Sequence, residues 1–401
     1  MHVPKPIFIL SSILAVVIGG PIIVLLTLVE IAGLFFDSLG TSDGSYQLSY
    51  ERFATINKQG KVSWWQKNAL AIAGYHEGLA SYREASFYDG SARFEEPGEP
   101  DYHASSGGFI DANGKKLPIK LYGVTKWTYL GSGLAPVFDP YVRKYCFIDK
   151  SGQRKIREYF EDAHAFSDGL AAVSVARAED DHKSKLHNGK WGYIDPSGHF
   201  VIEPRFSTAG QFHAGRALVA ELDAPKKVLV IDKHGKKAFE NHFAKLSEYS
   251  PDGFAIFNNN DSFYRYSDLD NVGLIDVNGN TVLKGFALES YSDGVATVHD
   301  RQSSGYHFID KVGRPIPNLA QGLSSFGTHA PELHEGYASI ANEVFLIGKG
   351  KHLPAAPKVS FIDQDGKPLA LALGEDRIVT AAFPFNNGLA VIRTYILNKA
   401  P

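Results

Sequence analysis

Seven aspartates recur along the chain in one setting, and a series of carboxylates could serve acid–base catalysis or calcium binding. Each follows an apolar residue and Ile and precedes a Gly by three positions; Asn57 stands at an eighth copy. Carboxyl groups that share acid–base work must lie within several ångströms of each other. Because each aspartate belongs to its own segment, we expect a structural role in local turns. The seven are Asp111, Asp149, Asp195, Asp232, Asp276, Asp310 and Asp363.

Three short segments contain potential metal ligands. Asp180-Asp181-His182 lies in a polar insert, where adjacent ligands on a loop rarely define a coordination geometry. His76-Glu77 and His334-Glu335 lack the two-histidine helical spacing of metalloprotease motifs. No phosphate-binding loop, nucleophile elbow or zinc spacing is present in the sequence. We therefore expect no catalytic residues, no metal and no cofactor, and the sequence leaves the ligand-binding residues unknown.

Aromatic side chains and the one thiol complete the chemical inventory. Trp64, Trp65, Trp127 and Trp191 could stack on glycans, but aromatic residues also build β cores. The Trp64-Trp65 pair is the best candidate for an exposed ring, because strand alternation turns one of two neighbours outward. Cys146 is the single cysteine, which excludes an intramolecular disulfide framework and a Cys-rich metal site.

Composition predicts a globular protein with a sizeable core. The 401 residues are 44% hydrophobic and 21% charged, which excludes general disorder. Lys and Arg number 41 against 44 Asp and Glu, for a net charge of −3. Since the cations form no basic block, we expect no nucleic-acid partner.

The N-terminal segment has the character of a membrane anchor. Residues 7–29 contain no ionisable side chain, and as a helix they would cover roughly 34 Å, enough to span a bilayer. We interpret residues 1–39 as a transmembrane anchor or uncleaved signal and residues 40–401 as the folded domain. A signal peptide cleaved near Gly40 is the alternative.

The charges that flank this span predict its orientation. Lys5 precedes the span, whereas Glu30, Asp37 and Asp43 follow it. The positive-inside rule therefore places the N-terminus in the cytoplasm and the folded domain outside it, in the periplasm or at the cell surface.

A second landmark alternates with the aspartates along the chain. It is a Gly followed by small and apolar residues, as in Gly78-Leu79-Ala80 and Gly388-Leu389-Ala390. The 306 residues from Asn57 to Asp363 divide into seven intervals of about 44 residues, a period typical of repeat units. The sequence therefore predicts about eight tandem repeats.

The unit around Trp191 predicts an antiparallel meander. An apolar strand ends at Asp195, whose carboxylate can accept bonds from amides two residues on, and Gly198 can take the positive φ of a tight hairpin. Pro204, which offers no ladder N–H, is expected to end the second strand, with a turn or loop through Phe212. The unit is therefore predicted to contain three strands, and the sequence does not decide whether the connection adds a fourth short strand. Residues 66–83 fit a short helix and a loop equally well.

The same unit resembles the bacterial WG-containing repeat family. The resemblance rests on Lys190-Trp191-Gly192-Tyr193-Ile194-Asp195-Pro196-Ser197-Gly198 and on the segments from Val201 and from Phe212 that follow it. Other copies are degenerate, although Gly108 and Gly273 keep the glycine of the Trp-Gly pair. The resemblance covers roughly residues 50–395 and implies a repetitive β architecture with a binding or scaffolding role. It supplies no catalytic residues.

The two ends of the array predict how the repeats are assembled. The chain enters at Asn57 and leaves by a strand from Leu389 to Ile396, and these are complementary halves of one unit. Pairing of the halves would close an all-β, propeller-like ring and remove exposed edges. An open β-solenoid, with the halves far apart, is the alternative.

These observations predict a membrane-anchored, extracytoplasmic binding or scaffolding module for a protein or a cell-envelope glycan, without catalysis. Recurrent landmarks with variable loops suit recognition. A propeller-type hydrolase with its site on the loop inserts is one alternative. A purely structural envelope protein is the other.

Overall fold

The structure is a computed structural model. It describes residues 46–66, 69–85, 105–119, 121–122, 128–176, 189–259, 269–299, 306–316, 333–346, 355–373 and 377–399. The predicted anchor at 1–39, the Asp180-Asp181-His182 cluster and Trp127 lie outside these ranges. Within them, no helix combines the length and apolar character needed to cross a bilayer.

The described chain consists of strands, with one short 3-10 helix at Leu269–Asn271. The first thirteen strands are β1 (Tyr46–Asn57), β2 (Val62–Gln66), β3 (Ala69–Ile72), β4 (Leu79–Ala85), β5 (Ser105–Asp111), β6 (Leu121–Tyr122), β7 (Leu134–Asp139), β8 (Lys144–Asp149), β9 (Asp162–Ala163), β10 (Ala171–Val175), β11 (Lys190–Ile194), β12 (Phe200–Ala209) and β13 (Ala217–Glu221). The others are β14 (Val228–Ile231), β15 (Lys245–Leu246), β16 (Ala255–Asn258), β17 (Val272–Ile275), β18 (Thr281–Lys284), β19 (Leu288–Ser292), β20 (Val295–His299), β21 (Tyr306–Asp310), β22 (Leu333–His334), β23 (Tyr337–Leu346), β24 (Ala355–Asp363), β25 (Arg377–Ala382) and β26 (Leu389–Lys399).

The strands form several small antiparallel sheets, which confirms the all-β prediction. Most sheets take strands in chain order, as a meander does, and the β15-β16-β17-β18 sheet includes the fourth short strand that the sequence left open. The other orders are β2-β1-β26-β25, β3-β4-β5-β6, β7-β8, β14-β13-β12-β11-β10-β9, β19-β20-β21 and β22-β23-β24.

The expectation that Pro204 ends a strand is wrong. β12 continues through Pro204 to Ala209. It pairs with β11 on both sides of the proline and with β13 after it. The register shifts at this point, since Tyr193 pairs with Ile202 but Trp191 pairs with Phe206. Pro204 therefore lies in an irregularity where no ladder N–H is required.

The described residues of the 66–83 segment, 66 and 69–83, form neither a helix nor a plain loop. Ala69–Ile72 pairs with the strand Leu79–Ala85, and a tight turn joins the two. The helical spacing of Ala69, Ile72 and Ala73 is overridden by this pairing, which buries Ile72 beside Tyr75 in a core cluster.

The two ends of the described chain share one sheet. β1 pairs with β26 from Tyr46↔Lys399 to Asn57↔Leu389. One core cluster contains Ala54 from β1, Phe361 from β24 and Ile392 from β26. The hydrophobic packing of the last strands therefore includes the first strand.

Candidate functional site

The aspartate landmarks are hairpin turns, as predicted. One carboxylate oxygen of Asp195 accepts hydrogen bonds from the amides of Ser197 at 2.9 Å and His199 at 3.1 Å. Gly198 has φ of 92° and donates its N–H to the Asp195 carbonyl. The hydroxyl of Ser197 and these amides hold the pKa of Asp195 below its ordinary value, although partial burial opposes them.

The other landmarks repeat this geometry. In each, the side-chain oxygen of the Asp or Asn accepts two backbone amides of its own turn, at 2.8–3.0 Å. Among the described residues, no three His, Cys, Asp or Glu side chains are grouped so that they could hold a metal ion. The series of carboxylates is therefore a set of separate turns.

The second landmarks are also turns, with a feature that the sequence reasoning missed. In the first, His76 and Leu79 exchange backbone hydrogen bonds at 2.8 and 3.0 Å, while Glu77 and Gly78 both have positive φ. This is the two-residue hairpin of the primed type, which requires a left-handed residue before the glycine. The equivalent left-handed residues are Ser132, Asp168, Ala214, Asp293, Glu335 and Asn387.

These left-handed residues connect neighbouring turns. The Glu77 carboxylate accepts the amide of Gly133 at 2.9 Å, that of Asp168 accepts the amide of Gly215 at 2.7 Å, and that of Glu335 accepts the amide of Gly388 at 2.8 Å. Each bond runs from one turn to the next along the chain. His76-Glu77 and His334-Glu335, considered above as metal pairs, thus lie in turns whose glutamates contact the following turn.

Three histidines hold the first position of such turns. Two of them contact the turn before, and His76 contacts the turn that contains Asn386. The Nδ1 atom of His213 lies 3.3 Å from the Ser167 hydroxyl, and that of His334 lies 3.3 Å from the Ser292 hydroxyl. The Nδ1 atom of His76 lies 3.4 Å from the side-chain nitrogen of Asn386.

One polar cluster brings together four side chains and one backbone carbonyl from five successive repeats. The Tyr129 ring stacks on His76 with centroids 4.3 Å apart, and its hydroxyl donates to the Gln211 side chain at 2.7 Å. The Gln211 side chain in turn donates to the Ala165 carbonyl at 3.0 Å, and the Gln211 backbone amide donates to the Glu248 carboxylate at 3.3 Å. Nothing in the sequence indicated this cluster, because its successive members are 36 to 53 residues apart and belong to no shared motif.

Burial favours the neutral forms of His76 and Tyr129 in this cluster. It lowers the pKa of His76, with Glu77 opposing, and it raises the pKa of Tyr129. Tyr129 and Gln211 are bonded to each other, and Gln211 is also bonded to the Ala165 carbonyl. The cluster can therefore hold five repeats together, and its hydrogen bonds are directed at protein groups.

The Trp-Gly pair of the central unit has a physical reason. Trp191 is half-buried against the core cluster around Tyr193 and Phe206, with the His164 ring 5.1 Å away. A Cβ at Gly192 would lie 2.6 Å from the Ile202 carbonyl oxygen, so only glycine allows the next strand to pass so close. Gly108 and Gly273 keep this glycine for the same reason. A Cβ would lie 2.6 Å from a backbone oxygen at Gly108 and 2.1 Å from one at Gly273.

This is the segment in which a known family is found. The profile described as WG containing repeat matches residues 191–221. The chain contains a WG repeat in this segment. No curated protein matches the chain at a significant level.

Two solved structures are similar to the chain over most of their lengths. KlHsv2 with loop 6CD replaced by a Gly-Ser linker has a TM-score of 0.37 and 8% identity, and the match covers 82% of this chain and 99% of that one. The Pan2 WD40 domain of Neurospora crassa has a TM-score of 0.33 and 12% identity, with 83% and 89% covered. Because both TM-scores are below 0.5, neither structure decides how the strands are arranged here.

One exposed aromatic ring lies at a position that the sequence reasoning did not single out. Trp64 and Trp65 lie in β2, opposite Thr55 and Ala54, and their side chains are outside the described part of the structure. In contrast, Tyr141 is 91% exposed at the tip of the β7–β8 hairpin, beside Val142 at 44%.

The hairpin that carries Tyr141 is held by its own hydrogen bonds. The Asp139 carboxylate accepts the amides of Tyr141 at 3.0 Å and Val142 at 3.3 Å, and the Tyr159 hydroxyl donates to it at 3.1 Å. The amide of Arg143, which has φ of 59°, closes the turn on the Asp139 carbonyl at 2.7 Å. The protein thus presents an aromatic ring on an ordered tip.

Proposed function

We propose that the protein is a non-catalytic binding or scaffolding module for a protein or a cell-envelope glycan. The observation that carries this proposal is the ordered display of Tyr141 on the β7–β8 hairpin. A tyrosine that is already fixed offers a large contact area at little cost in conformational entropy, and such residues dominate recognition surfaces. An exposed ring of this kind favours a dedicated ligand over a purely structural envelope role.

The acidic and histidine side chains favour binding over hydrolysis. The landmark aspartates are occupied by turn amides, as in Asp195, and the glutamates of the second landmarks accept amides of neighbouring turns, as in Glu335. In the cluster of Tyr129 and Gln211, the polar atoms are bonded within the protein. A hydrolase would need carboxylates free to approach a substrate.

We also propose that the repeats close into a propeller-like ring. Support comes from the β1–β26 pairing and from contacts between the last and first turns, where Asn387 accepts the amide of Gly78. Turn-to-turn contacts elsewhere, such as Glu77 with Gly133, would then form the inner contacts of the ring.

Cysteine cross-linking tests the ring. Ala54 and Ile392 are paired across β1 and β26, so the Ala54→Cys/Ile392→Cys variant should form a disulfide, identified by mass spectrometry of the joined peptides. Ala54→Cys with Ala296→Cys is the control, since Ala296 belongs to a different core cluster. Equal yields from the two pairs would contradict closure.

We further propose that residues 7–29 anchor the protein in a membrane with the repeats outside the cytoplasm. Alkaline carbonate should leave the full chain in the membrane pellet and release a variant that lacks residues 1–39. A protease added to intact spheroplasts should digest the repeats. Release of the full chain by carbonate would contradict the anchor. Protection of the repeats from the protease would contradict the orientation.

Binding is tested at the hairpin tip with two probes. One is co-sedimentation of the full chain with purified peptidoglycan, and the other is a photo-crosslinking residue at position 142 in intact cells. Tyr141→Ala should lower the signal of one probe about tenfold. Val312→Ala is the control, because Val312 is 53% exposed on another turn. An unchanged signal with Tyr141→Ala, or hydrolysis of the glycan by the purified chain, would overturn the proposal.

A further inference from the structure

Positive charge is concentrated in one part of the WG-repeat region. Residues 205–237 contain seven Lys and Arg against three Asp and Glu, a net charge of +4. The whole chain carries −3, so the rest of it carries −7. An excess of cations in one segment creates a local positive potential that attracts anions.

This segment surrounds a cleft of about 420 Å³. Arg205, Lys227 and Lys237 provide its cationic lining, together with one carboxylate, Glu221. Apolar contact surface comes from Leu229 and the edge of Phe206. A cavity of this size accommodates a small ligand or one unit of a polymer.

The cationic groups are placed by contacts with the protein. Arg205 donates to the Gly235 carbonyl at 2.5 Å, and its guanidinium lies 5.0 Å from the centroid of the Phe206 ring. Lys237 bonds to Glu240, and Lys227 lies 4.0 Å from the same carboxylate. The single negative charge of Glu240 is thus shared by two ammonium groups, and both lysine side chains are half-exposed or more. A net positive charge faces solvent at the cleft.

We propose that this cleft binds an acidic sugar, one that carries a carboxylate or phosphate group. The charges recognise the anion, and the apolar wall of Leu229 packs against the sugar ring. An acidic polymer of such sugars would follow the additional exposed cations of the segment, Lys226 and Lys236. A glycan fits better than an acidic protein, because the cleft admits one ring-sized unit and no folded surface. This inference rests on the proposed binding function and gives it a ligand class.

The test is calorimetric titration of the full chain, in detergent, with trigalacturonate as the carboxylate probe and glucose 1-phosphate as the phosphate probe. Methyl-esterified trigalacturonate supplies the same rings without charge, and tetraglutamate supplies charge without sugar. We expect a Kd for one or both acidic sugars that rises at least tenfold between about 0.05 M and 0.5 M salt. Neither the ester nor tetraglutamate should compete.

Two variants locate the site. Lys227→Gln/Lys237→Gln should raise the Kd about tenfold or more, because each substitution removes a charged contact with the anion. Lys144→Gln/Lys155→Gln is the matched control, because these lysines are also part-exposed and paired with carboxylates but lie in an earlier repeat. Circular dichroism verifies that both variants are folded.

The outcomes separate this inference from the proposed function. Unchanged binding with Lys227→Gln/Lys237→Gln, an equal loss with the control Lys144→Gln/Lys155→Gln, equal binding of tetraglutamate, or no binding of either acidic sugar would overturn the acidic-sugar site. Peptidoglycan or protein contacts that depend on Tyr141 would still stand in that event. Conversely, acidic-sugar binding at the cleft with no role for Tyr141 would relocate the binding surface.

Discussion

The side-chain oxygen of Asn387 accepts a hydrogen bond of 3.4 Å from the backbone amide of Gly78, although the two residues are 309 positions apart in the sequence. Beside it, the β1–β26 pairing joins the same two ends of the chain. We call these contacts the seam. Stability should therefore depend on residues that touch the seam from both sides.

Glu335 is the first such residue. Its carboxylate accepts the amide of Gly388 at 2.8 Å and lies 3.2 Å from the Lys58 ammonium. We expect Glu335→Ala to lower the free energy of unfolding by about 1 kcal/mol at neutral pH, a value reduced by the partial exposure of the pair. Urea denaturation measures this, with the exposed Glu203→Gln as the control that should change little.

The effect of Glu335 should also depend on pH. Burial raises the pKa of Glu335, but the Gly388 amide and Lys58 outweigh it and leave the pKa below its ordinary value of 4.5. The contribution is therefore complete above pH 4.5 and declines as the pH falls through the lowered pKa. A difference between wild type and Glu335→Ala that grows on acidification would contradict this assignment.

His76 makes the seam sensitive to mild acid. Burial lowers its pKa from 6.5, and its Nδ1 atom faces the side-chain nitrogen of Asn386, which can only donate. Because the folded state binds the proton more weakly, stability should fall as the pH drops below 6.5. The melting temperature of His76→Gln should fall less than that of wild type between about pH 7.5 and 5.5.

The exposed His234 supplies the control for that experiment. His234→Gln should keep the wild-type dependence on pH. If the two histidine variants behave alike, the seam is not the source of the acid sensitivity.

The landmark aspartates are expected to act through their turns. Asp195→Ala removes the acceptor for the amides of Ser197 and His199. It should lower the free energy of unfolding by about 1 kcal/mol, at the low end of the range for an acceptor lost from two hydrogen bonds, because the turn is solvated. Asp195→Asn should recover part of the loss, since Asn57 fills the same role in another copy. Asp223→Ala, on an exposed loop residue, is the control.

Chelation provides a second measurement on the same turns. Because backbone amides occupy the Asp195 oxygen, EDTA should leave the unfolding midpoint unchanged. A lower midpoint in EDTA that calcium restores would show that these carboxylates serve a metal.

Cys146 should be inert in the folded protein. Burial raises its pKa to about 11, Asp139 adds to the rise, and Arg154 opposes it in part. Iodoacetamide at about pH 8 should therefore label Cys146 only after denaturation, as measured by intact mass. Rapid labelling of the native chain would indicate that this region opens readily.

The landmark turns could be predicted from sequence because their determinants are local. Asp195 and Gly198 are three residues apart, and an acceptor for turn amides followed by a positive-φ glycine specifies one hairpin geometry. The strand through Pro204 was mispredicted for the opposite reason. Whether a missing N–H matters depends on the partner strand, and here the register shifts at the proline.

The chain by itself therefore determined the all-β class, the phase of its turns and the WG unit, since these depend on residues a few positions apart. Tertiary structure decided the rest. The stack of Tyr129 on His76, the bond from Tyr129 to Gln211 and the contact of Asn387 with Gly78 join residues from different repeats. Such contacts follow from how successive sheets pack, which a repeat period of about 44 residues does not specify.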